Sequence, residues 1–308
     1  MSASGIHAPA IRHMGMRDAV LVVLTACGFG SSFLFIKIIL PDVPPVTLAL
    51  ARSMVALATL LLVLWLGGHR LPRFGPVWIQ LAALGTASQV LPMILLSWGQ
   101  QHIASGLAGI ILGSVPVVTL VLAHLFTHDE KMSPRSLLGA LIGFGGVVAV
   151  IGAGVLGHAN GALLAELAVF GAATGIAVAN VLARHAGHLS PVVLAAGTQI
   201  AAVVILTPLS VLFDRPWTLH PGADALGALV VLGVVGSALP GLLFFRLLLR
   251  VGAARASLAA YLVPLVAVTL GALVLDERFA WSALAGMALI LIGAVMVNRR
   301  IVTPASGS

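Results

Sequence analysis

One acidic side chain lies inside a long apolar stretch of this 308-residue sequence: Glu166, within the stretch at 161–183. Two basic side chains, Lys37 and Arg52, lie within or at the ends of other apolar stretches. A charged group in such surroundings is costly, so all three residues are candidates for a functional role. Glu166 either forms an ion pair with Lys37 or Arg52, or serves as a coupling site for protons. The two readings do not exclude each other.

Uncharged polar side chains near the middle of the apolar stretches form a second group of candidates. A Ser or Thr hydroxyl can bond a carbonyl of its own helix, so it carries little information alone. Gln89 is the most informative member, because an amide needs several partners and cannot satisfy itself. The candidates for the substrate pathway are Ser31, Ser32, Gln89, Ser114, Thr174, Ser237 and Tyr261, with Gln199 at a similar depth. Trp98, near the outer end of its span, is a candidate wall of the pathway. The alternative is that these groups are packing contacts between helices.

Four prolines lie close to the same depth: Pro92, Pro116, Pro240 and Pro264. A proline frees a carbonyl and kinks its helix, which can open a cavity or provide a hinge. We therefore consider these residues hinge candidates. The alternative is that the kinks are purely structural.

The composition indicates which solvent surrounds the elements that carry these residues. The chain is 60% hydrophobic and only 8% charged, with a mean hydropathy of +1.14. Soluble domains carry about 25% charged residues, and a soluble fold of this size would leave an apolar exterior. Long apolar runs instead of short alternating segments exclude a transmembrane β-barrel. The sequence therefore predicts an all-α integral membrane protein in a lipid bilayer.

Ten runs are long enough to span a membrane, which takes about 20 apolar residues. They lie near 18–40, 46–67, 77–99, 103–126, 137–156, 161–183, 190–213, 225–249, 254–276 and 281–298. Short connections rich in proline separate them, and no loop has the length of a soluble domain. We expect disordered tails at 1–16 and 301–308.

The distribution of basic residues predicts the orientation. With a cytoplasmic N-terminus, 12 of the 16 Lys and Arg residues fall on the cytoplasmic side and only Arg215 and Arg278 on the other. The cytoplasmic set is Arg12, Arg17, Arg70, Arg73, Lys131, Arg135, Arg184, Arg246, Arg250, Arg255, Arg299 and Arg300. This excess satisfies the positive-inside rule and predicts that both termini are cytoplasmic. Single basic residues between apolar runs also argue against a nucleic-acid partner, despite the net charge of +7.

The chain contains an internal repeat at an offset of 146 to 148 residues. Residues 115–118, Val-Pro-Val-Val, match residues 263–266, Val-Pro-Leu-Val. Each of these segments is followed by two acidic residues and a basic one, at 129–131 and at 276–278. Gly139 and Gly146 match Gly286 and Gly293, and residues 45–49 resemble 191–195. Five helices per half is an odd number, so the second half enters the membrane from the opposite side. We therefore predict two inverted five-helix repeats, at 17–157 and 158–300.

Several local patterns resemble the drug/metabolite transporter superfamily, specifically the EamA-type ten-helix permeases. Residues 28–33, Gly-Phe-Gly-Ser-Ser-Phe, are followed by Lys37, and Arg52 lies in the second helix, similar to the family pattern. The glutamate that often precedes the helix proline in that family is absent, with Val115 and Val263 in its place. The resemblance covers roughly residues 17–300. It implies export or exchange of amino acids, other metabolites or drugs, usually in a bacterial inner membrane.

The leading hypothesis is therefore a secondary transporter with a central cavity between two inverted halves that rock to give alternating access. A non-transporting membrane sensor or scaffold, or an intramembrane enzyme, is the alternative. Enzyme chemistry needs a cluster of catalytic groups at one depth, whereas His124 and Glu166 are predicted on opposite membrane sides. We therefore predict that the protein is not an enzyme.

We expect no metal and no cofactor. His124 and His128 have the spacing of two zinc ligands, next to Asp129 and Glu130, but they fall at a helix end where polar residues meet headgroups. The glycines at 139 and 143, and at 286 and 293, mark close helix contacts. These contacts lie either within the bundle or in a homodimer, and the sequence does not decide between them.

Overall fold

The computed structural model describes residues 16–126, 134–157, 161–183, 189–251 and 258–298. The regular elements in these ranges are all helical. They are α1 (Met16–Ile39), α2 (Pro45–Leu66), α3 (Val77–Gly85), α4 (Leu91–Gln100), α5 (Ser105–Leu112), α6 (Val115–Phe126), α7 (Pro134–Gly157), α8 (Gly161–Ala183), α9 (Pro191–Phe213), α10 (Ala223–Gly233), α11 (Leu239–Val251), α12 (Leu258–Val274) and α13 (Trp281–Asn298). Two π-helical turns, Thr86–Val90 and Val234–Ala238, join α3 to α4 and α10 to α11.

Eight helical segments are long and apolar enough to cross a membrane within the described ranges. They are Met16–Ile39, Pro45–Leu66, Val77–Gln100, Ser105–Phe126, Pro134–Ile151, Ala162–Ala183, Pro191–Phe213 and Ala223–Phe244. Two shorter apolar helices follow, Ala259–Val274 and Trp281–Met296. The all-helical membrane architecture is thus confirmed, while the count of ten spans and the cytoplasmic termini stay predictions. Most of both expected tails and all of residues 129–131 lie outside the described ranges.

The repeat has a structural counterpart in the two π-turns. Each is followed by Leu-Pro, at Leu91-Pro92 and Leu239-Pro240, and each is closed by a hydrogen bond that spans five residues. A proline cannot donate the usual helical bond, so the helix locally widens. Pro92 and Pro240, predicted as hinges, therefore occupy matching irregular positions in the two halves.

The first helix of each sequence half packs mainly on helices of the other half. Helix α1 packs on α10, α11 and α12 of the second half, and α8 packs on α4, α5 and α6 of the first. We define body A as α1, α2, α10, α11 and α12, and body B as α8, α9 and α3 to α6. The bodies meet where α2 packs on α9 and where α5 packs on α12. These two groups of helices differ from the sequence halves, which the sequence predicts as the moving parts. They share an extensive interface, because α2 packs more on α9 than on α10 and α5 packs more on α12 than on α8.

The matched contacts of small residues explain this exchange. A Cβ on Gly28 of α1 would lie 2.8 Å from the Val235 carbonyl oxygen, and one on Gly175 of α8 would lie 3.2 Å from that of Ala87. Each first helix thus approaches the π-turn of the opposite half at a glycine. Close backbone approach of this kind is a main source of helix association in lipid.

Helices α7 and α13 pack on each other through their glycines. A Cβ on Gly146 would meet the Gly286 carbonyl oxygen at 2.7 Å, and one on Gly286 would meet the Gly146 carbonyl oxygen at 2.9 Å. Gly293 likewise lies against Gly139 and Gly143. These glycines therefore form a contact within the chain, and the alternative of a homodimer face built from them is wrong.

Candidate functional site

Arg52 lies in α2 beside the π-turn Val234–Ala238 and is 6% exposed. Its Nε donates to the Ser237 hydroxyl at 2.7 Å, and its Nη2 lies 3.4 Å from the Gly236 carbonyl oxygen. Its Nη1 donates to the sulfur of Met93 at 2.8 Å. Because Met93 belongs to α4, the guanidinium links body A to body B, and all three of its partners are uncharged.

The proline after the π-turn explains why these acceptors are available. Pro240 has no N–H, so the Gly236 carbonyl four residues earlier lacks its helical donor. The Ser32 hydroxyl of α1 donates to that oxygen instead, at 2.7 Å. The Ser237 hydroxyl donates to the carbonyl five residues before it and accepts from Arg52. The structure thus brings together Ser32, Arg52 and Ser237, which the sequence proposed separately.

Body B has no charge at the matching place. The repeat offset puts Thr198 where body A has Arg52, and Ala179 where body A has Ser32. Gln89 lies on the first π-turn, at the position that corresponds to Ser237, and is half-buried. The side chain of Gln199 is 5% exposed, and its Oε1 has no hydrogen-bond partner among the described residues. The hydrogen bonds around Arg52 therefore have no counterpart with a charged residue at the matching positions of the other repeat.

An apolar cluster adjoins Met93 where the two bodies meet. Its buried members are Ala49, Leu50, Val90, Met93, Ala202 and Leu206, drawn from α2, α4, α9 and the first π-turn. The cluster and the guanidinium share Met93 as a common neighbour. A charged head and an apolar surface thus lie side by side between the bodies.

The other hydroxyl candidates are bonded locally. Ser31, Ser114 and Thr174 donate to carbonyls three or four residues earlier, at 2.9, 2.7 and 3.0 Å. The Tyr261 hydroxyl donates to the Ala294 carbonyl of α13 at 2.8 Å. These contacts are those of the packing alternative, so a pathway role for these four residues rests on the sequence alone.

Trp98 and the remaining hinge candidates lie apart from Arg52. The Trp98 ring packs on His102 near the end of α4, with ring centroids 4.8 Å apart. Pro116 lies in the first turn of α6, just after the break that separates α5 from α6. Pro264 lies inside α12 and faces Gly113 of that same break.

Glu277 joins the bodies at the end of the bundle where α1 stops at Ile39, hereafter the Ile39 end. Asp276 adopts a left-handed conformation with φ of 52°, which is common just after a helix ends. The Glu277 N–H donates to the Gly271 carbonyl, six residues earlier, and closes the end of α12. The Glu277 carboxylate then accepts from the N–H and hydroxyl of Ser105 and from the N–H of Gly106, at 2.6 to 3.0 Å. A side chain of body A thus caps α5 of body B.

A second carboxylate makes the reverse connection at the same end. Asp214, which follows α9 of body B, accepts from the N–H and the hydroxyl of Thr47 in α2 at 2.7 and 2.9 Å. The Thr47 hydroxyl also lies 2.8 Å from the Ser210 hydroxyl. Negative charge at a helix N-terminus is favourable, so both caps stabilise contact between the bodies.

The ion pair predicted for Glu166 is absent from the structure. Lys37 instead donates to the carbonyls of Gln100 and Ile103 at 2.6 and 2.9 Å, where α4 ends, and Arg52 has the partners given above. The terminal carbonyls of a helix attract a cation, which explains the place of Lys37. Its contact is a third link between bodies A and B at the Ile39 end.

Glu166 itself lies where α4 crosses α8. The side chain is 1% exposed, and its Oε2 has no hydrogen-bond partner in the described part of the chain. At this crossing a Cβ on Gly99 would lie 3.0 Å from the carbonyl oxygen of Ala165, the residue before Glu166. Gln100, next to Gly99, is completely buried, and neither its amide nitrogen nor its amide oxygen has a hydrogen-bond partner among the described residues. The Ser97 hydroxyl is also buried and has no partner there.

No group of three or more His, Cys, Asp or Glu side chains could hold a metal within the ranges that the structure describes. His124 is exposed near the end of α6, while His128, Asp129 and Glu130 lie outside those ranges. The structure therefore does not test the zinc alternative, and the absence of a metal stays a prediction.

Sequence reasoning missed several residues whose contacts join distant parts of the chain. Met93, Gln100 and the carbonyl of Gly236 were not singled out, although Pro240 signals that the Gly236 carbonyl needs another donor. The caps by Glu277 and Asp214 were also missed, because their partners lie more than 160 residues away in sequence.

The chain is similar to a protein of known structure and to several transporters. A crystal structure covers 92% of this chain and 98% of its own, with a TM-score of 0.67 and 20% identity, which shows the fold alone. A protein of Streptantibioticus cattleyicolor named "Probable terminal-alkyne amino-acid exporter" is 28% identical over 91% of this chain and 92% of its own length. The inner membrane transporter YedA of Escherichia coli (strain K12) is 27% identical over 88% and 87%.

The family comparison agrees with the repeat. The model of the EamA-like transporter family matches twice, at residues 16–152 and 161–299. These two segments correspond to the two halves that carry the matched π-turns, and together they span most of the chain. The protein belongs to the EamA-like transporter family.

Proposed function

We propose that the protein is a secondary transporter that exports or exchanges small metabolites across a bacterial inner membrane by alternating access. The observation that carries the proposal is the repeated π-turn with its Leu-Pro sequence, present once in each body. Inverted repeats with discontinuous helices are typical of secondary carriers, which bind their cargo near the middle of the membrane. Amino acids are the first cargo class to test, because one relative is named as an amino-acid exporter.

The moving units in this proposal are bodies A and B. Three polar contacts join them at the Ile39 end: Lys37 with the end of α4, Glu277 with the start of α5, and Thr47 with Asp214. Opening at that end breaks all three contacts together. The positive-inside rule places this end on the outer side of ten spans with both termini inside. The π-turns at Pro92 and Pro240 supply the bending points.

Glu166 carries the coupling proton in this scheme. A buried carboxylate without a counter-charge is costly, and a proton removes that cost. Gln100 and Ser97 belong to α4, which crosses α8 beside Glu166, and they carry uncharged polar groups that could bond either form of a carboxyl group. Gln100 also bonds Lys37 through its carbonyl, so the Glu166 region adjoins a contact that must break on opening.

A reversible cross-link tests alternating access. Thr47 and Ser210 have hydroxyl oxygens 2.8 Å apart, so cysteines at both positions bring two sulfurs together at the junction of the bodies. Cys27, the single native cysteine, is replaced by serine beforehand. Cargo is first identified by comparing metabolites exported from cells that express the protein and cells that lack it.

The cross-linked protein is then assayed in liposomes with that cargo. We expect transport to stop on oxidation and to return on reduction, whereas each single-cysteine variant is insensitive to both. Equal transport by the oxidised and reduced double variant would contradict alternating access at this end. A wild-type protein that moves no solute would favour the sensor or scaffold alternative.

A further inference from the structure

We propose that Arg52 binds the carboxylate of the transported molecule, so that the cargo is a small amphipathic carboxylate. The inference rests on the proposed transport function and specifies the chemistry of the cargo. It is carried by the hydrogen bonds of the guanidinium, by its position between the two bodies, and by the apolar cluster beside it.

The guanidinium has no counter-charge in the described part of the chain. Its partners are a hydroxyl at Ser237, a carbonyl at Gly236 and a thioether at Met93. A buried charge that lacks an opposite charge is unfavourable, all the more within a membrane. Charged residues within membrane spans pair with other charges or with backbone carbonyls, and they mark substrate pathways or act as counter-ions of ligands. The counter-charge that we propose for it is an anionic group of the cargo.

The weakest of the three contacts faces the opposite body. A thioether is a weak hydrogen-bond acceptor, so the bond from Nη1 to the Met93 sulfur is readily exchanged for a stronger one. A carboxylate accepts two parallel bonds from a guanidinium. Because Met93 belongs to body B, separation of the bodies withdraws the sulfur and leaves that edge of Arg52 available to the cargo.

The other two contacts hold Arg52 in place for this exchange. Ser237 and Gly236 belong to the π-turn of body A, and Ser32 fixes the Gly236 carbonyl from α1. A guanidinium that is already oriented loses less conformational freedom on binding. These residues are positioning residues, and Arg52 is the one that contacts the carboxylate.

The surroundings define the rest of the cargo. Body B has Thr198 in place of Arg52, so the site supplies one cationic group. The adjoining cluster around Leu50, Val90 and Leu206 is apolar. A single carboxylate with an apolar body fits this pair of surfaces, whereas a phosphate ester would need more cationic donors.

The experiment begins with the wild-type protein and needs no variant. Each exported solute identified in cells is tested in proteoliposomes by counterflow, together with its methyl ester and the analogue that lacks the carboxylate. We expect the carboxylate form to compete at least about 10-fold better than either analogue, because charge-assisted hydrogen bonds are the stronger class. Equal competition by the methyl ester would overturn the proposal.

Variants then assign the effect to Arg52. Arg52→Met should weaken the apparent affinity for the carboxylate about 10- to 100-fold and abolish the preference over the ester. Arg246→Met removes the same charge from an exposed position on α11 and should leave both unchanged. A folded Arg52→Met protein with unchanged affinity and preference would overturn the proposal.

Two failures remain distinguishable. A wild-type protein that moves no solute contradicts the transport function itself. Transport of cargo that has no carboxylate contradicts only the role of Arg52 and leaves the transport function standing. If Arg52→Met does not fold, the comparison of the acid, its ester and the analogue without the carboxylate on the wild-type protein still decides the matter.

Discussion

Replacing Glu277 by alanine removes a contact between bodies A and B at the Ile39 end, which in the proposed transport cycle breaks when that end opens. The carboxylate caps α5 through two backbone N–H groups and the Ser105 hydroxyl. An N-cap contributes about 1 kcal/mol. A negative charge at a partly buried helix N-terminus adds about 1 kcal/mol more. The variant should therefore weaken closure by about 2 kcal/mol, which is roughly a 30-fold change in an equilibrium constant.

Glu277→Gln should have a smaller effect of about 1 kcal/mol, because the amide keeps one acceptor oxygen and loses the charge. Arg278→Ala changes the exposed neighbouring residue and is the matched control. The opening of the Ile39 end is followed by the alkylation rate of a cysteine introduced at Ile103, whose side chain is buried there. A membrane-impermeant maleimide and a protein without Cys27 confine the reaction to that position.

We expect alkylation about 30-fold faster in Glu277→Ala than in the parent, about 5-fold faster in Glu277→Gln, and unchanged in Arg278→Ala. The order of the three variants matters as much as the absolute rates. A Glu277→Ala protein that is folded and reacts within twofold of the parent would refute the role of this cap in closing the Ile39 end.

Three further changes test other parts of the structure. Gly146→Val should lower the thermal unfolding temperature of the protein in detergent, because the new Cβ would meet the backbone of α13. The control Gly145→Ala places its Cβ in open space and should leave that temperature unchanged, and equal unfolding temperatures of the two variants would contradict the α7–α13 packing. Glu166→Gln should reduce transport per folded molecule and abolish proton movement, which is measured with a pH-sensitive dye in liposomes. An unchanged proton flux would show that Glu166 does not couple transport to protons. Pro240→Ala restores an N–H that competes for the Gly236 carbonyl, so we expect slower transport at unchanged expression, and an unchanged rate would show that the π-turn is not a bending point.

The membrane class, the repeat and the family were predictable from sequence, because apolar runs and matched motifs are local patterns. The partners of Arg52 were not, since Ser237 lies 185 residues away and its apolar surroundings give no pairing signal. The same limit explains the wrong ion pair for Glu166: Lys37 lies at a suitable depth, but the carbonyls that end α4 are closer partners. The glycines of α7 and α13 were recognised as contact residues, and only the fold shows that they contact each other.

The exchange of helices between the halves also bears on how the chain is made. At a synthesis rate of about 5–20 residues per second, Arg52 enters the membrane roughly 10–40 s before Ser237 is available to bond it. During that interval α1 and α2 lack the helices on which they pack, and a buried arginine has no acceptor from α10 or its π-turn. A first half expressed alone should therefore be a substrate for proteolysis, whereas the two halves expressed together from separate genes should rescue each other.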